Sequence, residues 1–64
     1  MWQVRIHGCV FHNADPRVAF ADIDAHIGLD DFVHAEFTRL MGILESYPEA
    51  TSICGAAITI AKMS

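Results

Sequence analysis

The chain has 64 residues, the size of one small domain, and 53% of them are apolar. Eight acidic residues against four basic ones give a formal net charge of −4, which argues against direct binding to nucleic acid or to an anionic membrane and favours a basic protein partner. A domain this short buries only about 60% of its extended surface, so we expect a single domain over 1-64 that is stabilised by oligomerisation, most simply as a homodimer.

Cysteine use and hydropathy suggest where the protein resides. Cys9 and Cys54 are far apart and do not form a disulfide framework. No signal-peptide pattern opens the chain, so we expect a cytoplasmic protein with reduced thiols. No apolar run reaches the roughly 18 residues that a membrane span requires, and we predict none.

The first predicted element is a strand over residues 2–11. Trp2, Val4 and Ile6 alternate with polar residues, as the two faces of a strand require. Gly8 interrupts the strand, and a glycine at such a place often marks a bulge. Residues 12–17 then contain Asn13, Asp15 and Pro16 and are predicted to form a loop.

Residues 18–27 support two interpretations. Asp15 followed by Pro16 is typical of a helix cap and first helical position, and three alanines follow. However, residues 21–27 alternate apolar and polar without an error, which favours a strand. We predict the strand and keep the helix as the alternative.

The strongest pattern in the chain predicts one amphipathic helix. Asp30 is a plausible cap with Asp31 in the first turn, and the helix ends near Ser46, before Pro48. After it, a segment rich in β-branched and small residues predicts a last strand over residues 51–63. The apolar residues of the helix share one arc: Leu29, Phe32, Val33, Phe37, Leu40, Met41, Leu44 and Tyr47.

These elements predict a small two-layer α+β domain. The order strand-strand-helix-strand favours a mainly antiparallel three-stranded sheet, in spatial order 2-1-3, with one long helix on one face. The alternative is strand-helix-helix-strand. With one face uncovered, Phe11 and Phe20 would lie beside Asp22 and Asp24 on an exposed surface, so we expect self-association through that face or through an edge strand.

Two clusters contain residue types that can bind metals. His7, Cys9 and His12 could contribute imidazole and thiolate ligands to zinc or copper, but an extended strand does not place all three on one face. Asp22, Asp24 and His26 would form a polar row on a strand, which is more often the solvated side of an edge. We therefore predict no metal and no cofactor, and His7, Cys9 and His12 as the ligands if a metal is bound.

Glu36 falls inside the apolar arc of the helix and must find a partner. Arg39 is one turn further on, and Arg5 or Lys62 could approach from the sheet. The simplest interpretation is a residue at the rim of the apolar arc whose carboxylate reaches water, and the alternative is an interface ion pair that orients a partner. The predicted interaction residues are therefore Phe11, Phe20, Asp22, Asp24, Glu36 and Arg39.

The function suggested by these features is not catalytic. No phosphate-binding glycine loop, nucleophile motif or dinucleotide fingerprint is present. A small acidic protein of this kind is expected to be a protein-protein interaction module, for example an inhibitor that covers the basic nucleic-acid-binding surface of a larger protein. The alternative is a small zinc- or copper-binding or catalytic protein whose His, Cys and Asp residues meet at a dimer boundary.

Overall fold

The computed structural model describes residues 1–63, which form a four-stranded antiparallel sheet and two helices. The sheet order is β2-β1-β4-β3, and both helices cover the same face. The elements follow one another as β1 Trp2–Ile6, β2 Cys9–Asn13, α1 Pro16–Ile27, α2 Asp31–Ser46, β3 Ser52–Cys54 and β4 Ile58–Lys62.

The predicted single strand over residues 2–11 is instead a hairpin. His7 and Gly8 both have positive φ, 49° and 82°, and this pair of conformations builds the two-residue turn that reverses a strand without disturbing its twist. The reversal changes which side chains face the core. Val4 is paired with Phe11 and Ile6 with Cys9, so Cys9 and Phe11 point towards the helices and not to an uncovered face.

The predicted strand over residues 18–27 is wrong, and the alternative helix is what forms. The Asp15 side chain accepts a hydrogen bond from the Arg17 N–H at 2.9 Å, and Pro16 occupies the first turn. The alternation over residues 21–27 was misleading because Ala21 and Ala25 are exposed and do not belong to the core. The residues that α1 buries follow helical spacing: Pro16, Ala19, Phe20 and Ile23.

The predicted long helix is confirmed as α2. The Asp30 side chain accepts a hydrogen bond from the Val33 N–H at 3.0 Å, and the helix ends before Tyr47. Leu40 lies on the buried side, whereas Phe32, which the same apolar arc included, is 62% exposed. The apolar arc of α2 is therefore wider than the part of the helix surface that the sheet and α1 cover.

The predicted last strand over residues 51–63 is also a hairpin. Gly55 donates its N–H to the Ile58 carbonyl at 2.7 Å and closes the turn between β3 and β4. Because β1 pairs with β4, the two hairpins join side by side. The sheet therefore has four strands, and the predicted three-stranded order 2-1-3 is corrected, although the N-terminal strand does lie next to the C-terminal one.

The core lies between the sheet and the pair of helices. α1 covers β2 and β1, and α2 covers β4 and β3, so two helices share the face of the sheet that the prediction assigned to one helix. Helix and strand residues contribute about equally to the side chains that are least exposed: Val4, Ile6, Ile23, Val33, Leu40, Ile58 and Ile60. The other face of the sheet has no covering layer among the described residues.

Replacing Leu40 by alanine tests this core. Leu40 is 1% exposed, and removing a buried leucine side chain leaves a cavity, so we expect the free energy of unfolding to fall by about 2 to 5 kcal/mol in urea denaturation. Val18→Ala on the exposed side of α1 is the matched control and should change it by less than about 0.5 kcal/mol. Equal effects of the two changes would contradict this arrangement.

Candidate functional site

Charge is unevenly distributed between the two layers. All eight acidic residues lie in residues 14–51, which form the helices and their connections, together with only two basic residues, Arg17 and Arg39. This part of the chain has a formal charge of −6, whereas the strands carry only Arg5 and Lys62 and no carboxylate. The helical layer is therefore the acidic surface of the molecule.

An open groove runs between the two helices on this acidic surface. Its volume is about 330 Å³, and the buried side chains of Phe37 and Met41 form its floor. A Cβ atom added to Gly42 would meet no atom within 4 Å, so the glycine leaves this part of the groove empty. The residues that line it are Arg17, Phe37, Thr38, Met41, Gly42 and Glu45.

An ion pair bridges the groove. The Arg17 guanidinium of α1 donates a hydrogen bond to the Glu45 carboxylate of α2, and it lies 4.0 Å from the Asp15 carboxylate. All three side chains are more than half exposed, so the pair contributes little to folding. It gives the groove a polar rim above an apolar floor, which suits a side chain with an apolar stem and a charged end.

Aromatic stacking lies directly beneath the groove. The rings of Phe20 and Phe37 are stacked with centroids 4.0 Å apart and an interplanar angle of 12°, and His34 meets the Phe20 ring edge-on at 5.1 Å. Such pairs add about 1 kcal/mol beyond the area that they bury. Phe20, predicted to lie on an exposed face, therefore helps to join the two helices and supports the floor.

Asp24 fixes the connection between the helices. One carboxylate oxygen accepts a hydrogen bond from the Leu29 N–H at 2.8 Å, and the other lies 3.3 Å from His34 Nε2. The hydrogen bond from Leu29 is the main reason that the pKa of Asp24 lies below its ordinary value of 3.8; the interaction with His34 adds to it, and partial desolvation opposes it. The Asp24 carboxylate therefore helps to hold the connection between α1 and α2 in place.

Glu36 is the buried carboxylate of α2, and it holds the turn between β3 and β4. Its exposed fraction is 7%, and its Oε1 atom accepts a hydrogen bond from the Ala57 N–H at 2.9 Å. A Cβ atom at position 55 would lie 2.5 Å from that same oxygen, so only a glycine at this position leaves room for the carboxylate. The prediction that this carboxylate reaches water at the rim is therefore wrong, and its partner is a backbone N–H instead of Arg39, Arg5 or Lys62.

The six predicted interaction residues do not form one surface. Phe11 is half-buried on the core face of β2, with its ring centroid 6.0 Å from that of His26. Asp22 is exposed on the side of α1 turned away from α2, because it lies two positions from both Phe20 and Asp24. Arg39 is exposed on the flank of α2 that is turned away from α1. It is therefore remote from Asp22, which belongs to α1.

The possible metal ligands are not brought together. His7 lies in the first turn, Cys9 faces the core, and His12 lies on the outer face of the sheet, where its Nε2 atom is 3.2 Å from Gln3 Oε1. Over residues 1–63 no three His, Cys, Asp or Glu side chains are placed to share one metal ion. Cys9 and Cys54 are both free thiols.

Sequence reasoning missed the groove because its residues come from two helices, one of which was predicted as a strand. The one local signal is Gly42 on the outward side of the long helix, where a glycine costs about 1 kcal/mol relative to alanine. Arg17 and Glu45 are 28 residues apart, and no local pattern relates them.

Comparison with family models, with curated proteins and with solved structures gave no match for this chain. Within residues 1–63, neither helix has the length and apolar character needed to cross a membrane.

Variants of Glu36 and Gly55 test how the β3–β4 turn is held. Glu36→Ala leaves the Ala57 N–H without its acceptor, and Gly55→Ala forces the carboxylate away, so each should lower the free energy of unfolding by about 1 to 3 kcal/mol. The double variant should cost clearly less than the sum of the two, because both remove the same hydrogen bond. Additive effects in urea denaturation would contradict the coupling.

Acid titration tests the role of Asp24. A carboxylate with a lowered folded pKa stabilises the fold above its ordinary value of 3.8, and this stabilisation disappears as the pH falls through the folded pKa. The stability difference between the wild type and Asp24→Asn should therefore shrink below about pH 4. Asp22→Asn makes the same change in charge on an exposed residue and is the matched control, which should leave the stability at neutral pH nearly unchanged.

Proposed function

We propose that the protein is a non-catalytic interaction module that binds a basic protein surface through the acidic helical layer. The observation that carries the proposal is the charge distribution: a formal charge of −6 in residues 14–51, against a sheet without a carboxylate. Opposite charges accelerate the encounter with a basic surface and align the two molecules before contact.

The groove supplies what charge alone lacks, which is a place for an anchoring side chain. Charge steers association, but affinity depends mainly on a few side chains that enter a desolvated pocket. Phe37 and Met41 offer an apolar floor, and Glu45 offers a carboxylate at the rim. A lysine or arginine of a partner helix would lay its aliphatic stem on this floor and compete with Arg17 for the Glu45 carboxylate.

A partner of this kind has the surface chemistry of a nucleic-acid-binding protein, whose basic side chains otherwise contact phosphates. The module is therefore proposed to act as an inhibitor that occupies such a surface. Its own negative charge supports this role, since the same layer repels the nucleic acid with which it competes.

Two designed peptides test the binding mode. An amphipathic helical peptide of leucine and lysine should bind the protein in isothermal titration calorimetry, more weakly at physiological than at low ionic strength, whereas the same peptide with glutamate in place of lysine should not bind. Equal binding of the two peptides would overturn the proposal.

Variants then locate the site. Gly42→Leu places a side chain in the groove, where a Cβ atom meets nothing within 4 Å, so the fold should stay at least as stable while peptide binding is lost. Glu45→Gln should weaken binding about fivefold. Asp22→Asn removes the same charge on the far side of α1 and is the matched control; an equal loss with this variant would show that the groove is not the site.

A further inference from the structure

The flank of α2 turned away from α1 has an exposed apolar stripe, formed by Phe32, Ile43 and Tyr47. Their exposed fractions are 62%, 36% and 58%. His34 and Glu45 of α2 face α1. Phe32 lies two positions before His34, and Ile43 and Tyr47 lie two positions before and after Glu45. Two positions correspond to about 200° on a helix, so the stripe lies on the opposite side, above the β3 edge of the sheet.

The backbone of β3 is open along the same side. Lys62 donates its N–H to the Thr51 carbonyl and Gly55 donates to the Ile58 carbonyl, both at 2.7 Å, so residues 51, 53 and 55 face β4. Alternation then directs the N–H and C=O groups of Ser52 and Cys54 away from the sheet, and no described strand pairs with them. An edge of this kind is a template for another strand.

The opposite edge of the sheet differs in its surroundings. β2 is also an outer strand, but His26 of α1 lies against Phe11 there, and Asp22 is exposed on the same flank of that helix. Charged and polar groups beside an edge discourage strand pairing. The exposed apolar side chains at the β2 edge, Val10 and Val18, are also smaller than the two aromatic side chains of the stripe, so the β3 edge is the better site for pairing with another strand.

We propose that a second copy of this chain binds here, with β3 pairing antiparallel to β3 and α2 packing on α2 about a two-fold axis. In a register centred on Ile53, Ser52 of each copy lies opposite Cys54 of the other copy. These are the two residues whose backbone groups face outward, so both pairs are hydrogen-bonded. The two sheets then form one sheet of eight strands.

The helices fit the same arrangement. α2 contacts both β4 and β3, so its axis lies near the middle of that pair of strands. With strands about 4.8 Å apart, the two α2 axes would be about 10 Å apart, at the upper end of the usual 8 to 10 Å packing distance. The two-fold axis makes the helices antiparallel, so Phe32 lies towards the Tyr47 end of the second copy.

Charge also favours a second copy over a basic partner at this surface. Of the two charged stripe positions on α2, Glu36 is buried and Arg39 is exposed, so the exposed flank carries one positive charge, which a basic partner would meet unfavourably. Two copies can therefore meet here without bringing exposed carboxylates of the stripe together. Because it uses another surface and another partner, this proposal does not depend on the proposed function.

The exposed part of the three side chains is on the order of 300 Å², less than half of the roughly 800 Å² that each partner contributes to a standard interface. The paired β3 strands and Ile53, which packs half-buried beneath the stripe, must supply the rest. We therefore expect a dimer that dissociates at concentrations on the order of micromolar.

Cysteine cross-linking tests the register. Hydrogen-bonded residues of antiparallel strands have Cα atoms about 5.5 Å apart, within disulfide range. Ser52→Cys should therefore give a disulfide-linked dimer with Cys54 of the second copy under mild oxidation, seen on a non-reducing denaturing gel. Val10→Cys on the opposite edge is the matched control and should cross-link much less. Equal yields from both variants, or no linked dimer with Ser52→Cys, would overturn the proposal.

Sedimentation equilibrium tests the stripe without new cysteines. Phe32→Ser combined with Ile43→Ser should weaken the dimer at least about tenfold, since the exposed parts of both side chains become buried only when the dimer forms. Val18→Ser is the control, because Val18 is 43% exposed on α1, away from the interface. A wild-type chain that stays monomeric at millimolar concentration, or a dimer unaffected by the double variant, would contradict the proposal.

Discussion

The fold depends on the union of two halves that are each too small to be stable. Residues 1–27 form a hairpin and a helix, residues 31–62 form a helix and a hairpin, and a two-stranded sheet alone is marginal in water. The contacts that join them include the pairing of β1 with β4 and the stacking of Phe20 on Phe37. Because the core fills the space between both pairs of elements, neither half can bury its apolar face without the other.

The sequence predicted the elements whose signals are local and strong. The cap at Asp30 and the apolar arc gave α2 its correct type and bounds, and Asp15 with Pro16 indicated the start of α1. The turn at His7 and Gly8 was missed because histidine is not among the residues that most often take positive φ in such turns. The alternation over residues 21–27 then outweighed the cap, although its small residues have little surface to bury on either face.

The candidate site was less accessible to prediction because it depends on contacts that are distant in sequence. Glu36 was correctly expected to need a partner, but the partner is a backbone N–H in the β3–β4 turn. Gly55 makes this contact possible, because a side chain at that position would meet the Glu36 carboxylate. Likewise Asp24 was assigned to an interaction surface from its charge, although a local hydrogen bond to Leu29 occupies it. A polar residue near an element boundary is often used by the fold before it is available to a partner.

The division of charge between the layers follows from how this chain stabilises its helices. Asp15 and Asp30 cap helix N-termini, Asp31 lies in a first turn, and Asp24 holds the connection, so several carboxylates are in the helical layer for structural reasons. Strands need no carboxylates to cap their ends, and the strands of this protein contain no acidic residue. The same capping interactions that start the helices therefore also give one side of the molecule its negative field, and recognition of a basic surface would use a field that folding had already put in place. The stripe on α2 lies outside this arrangement, because its exposed side chains are apolar apart from Arg39 and it exposes no carboxylate. The two proposals therefore use different surfaces: a basic partner would meet the acidic outer surface and a second copy would meet the flank of α2, so the two would not compete.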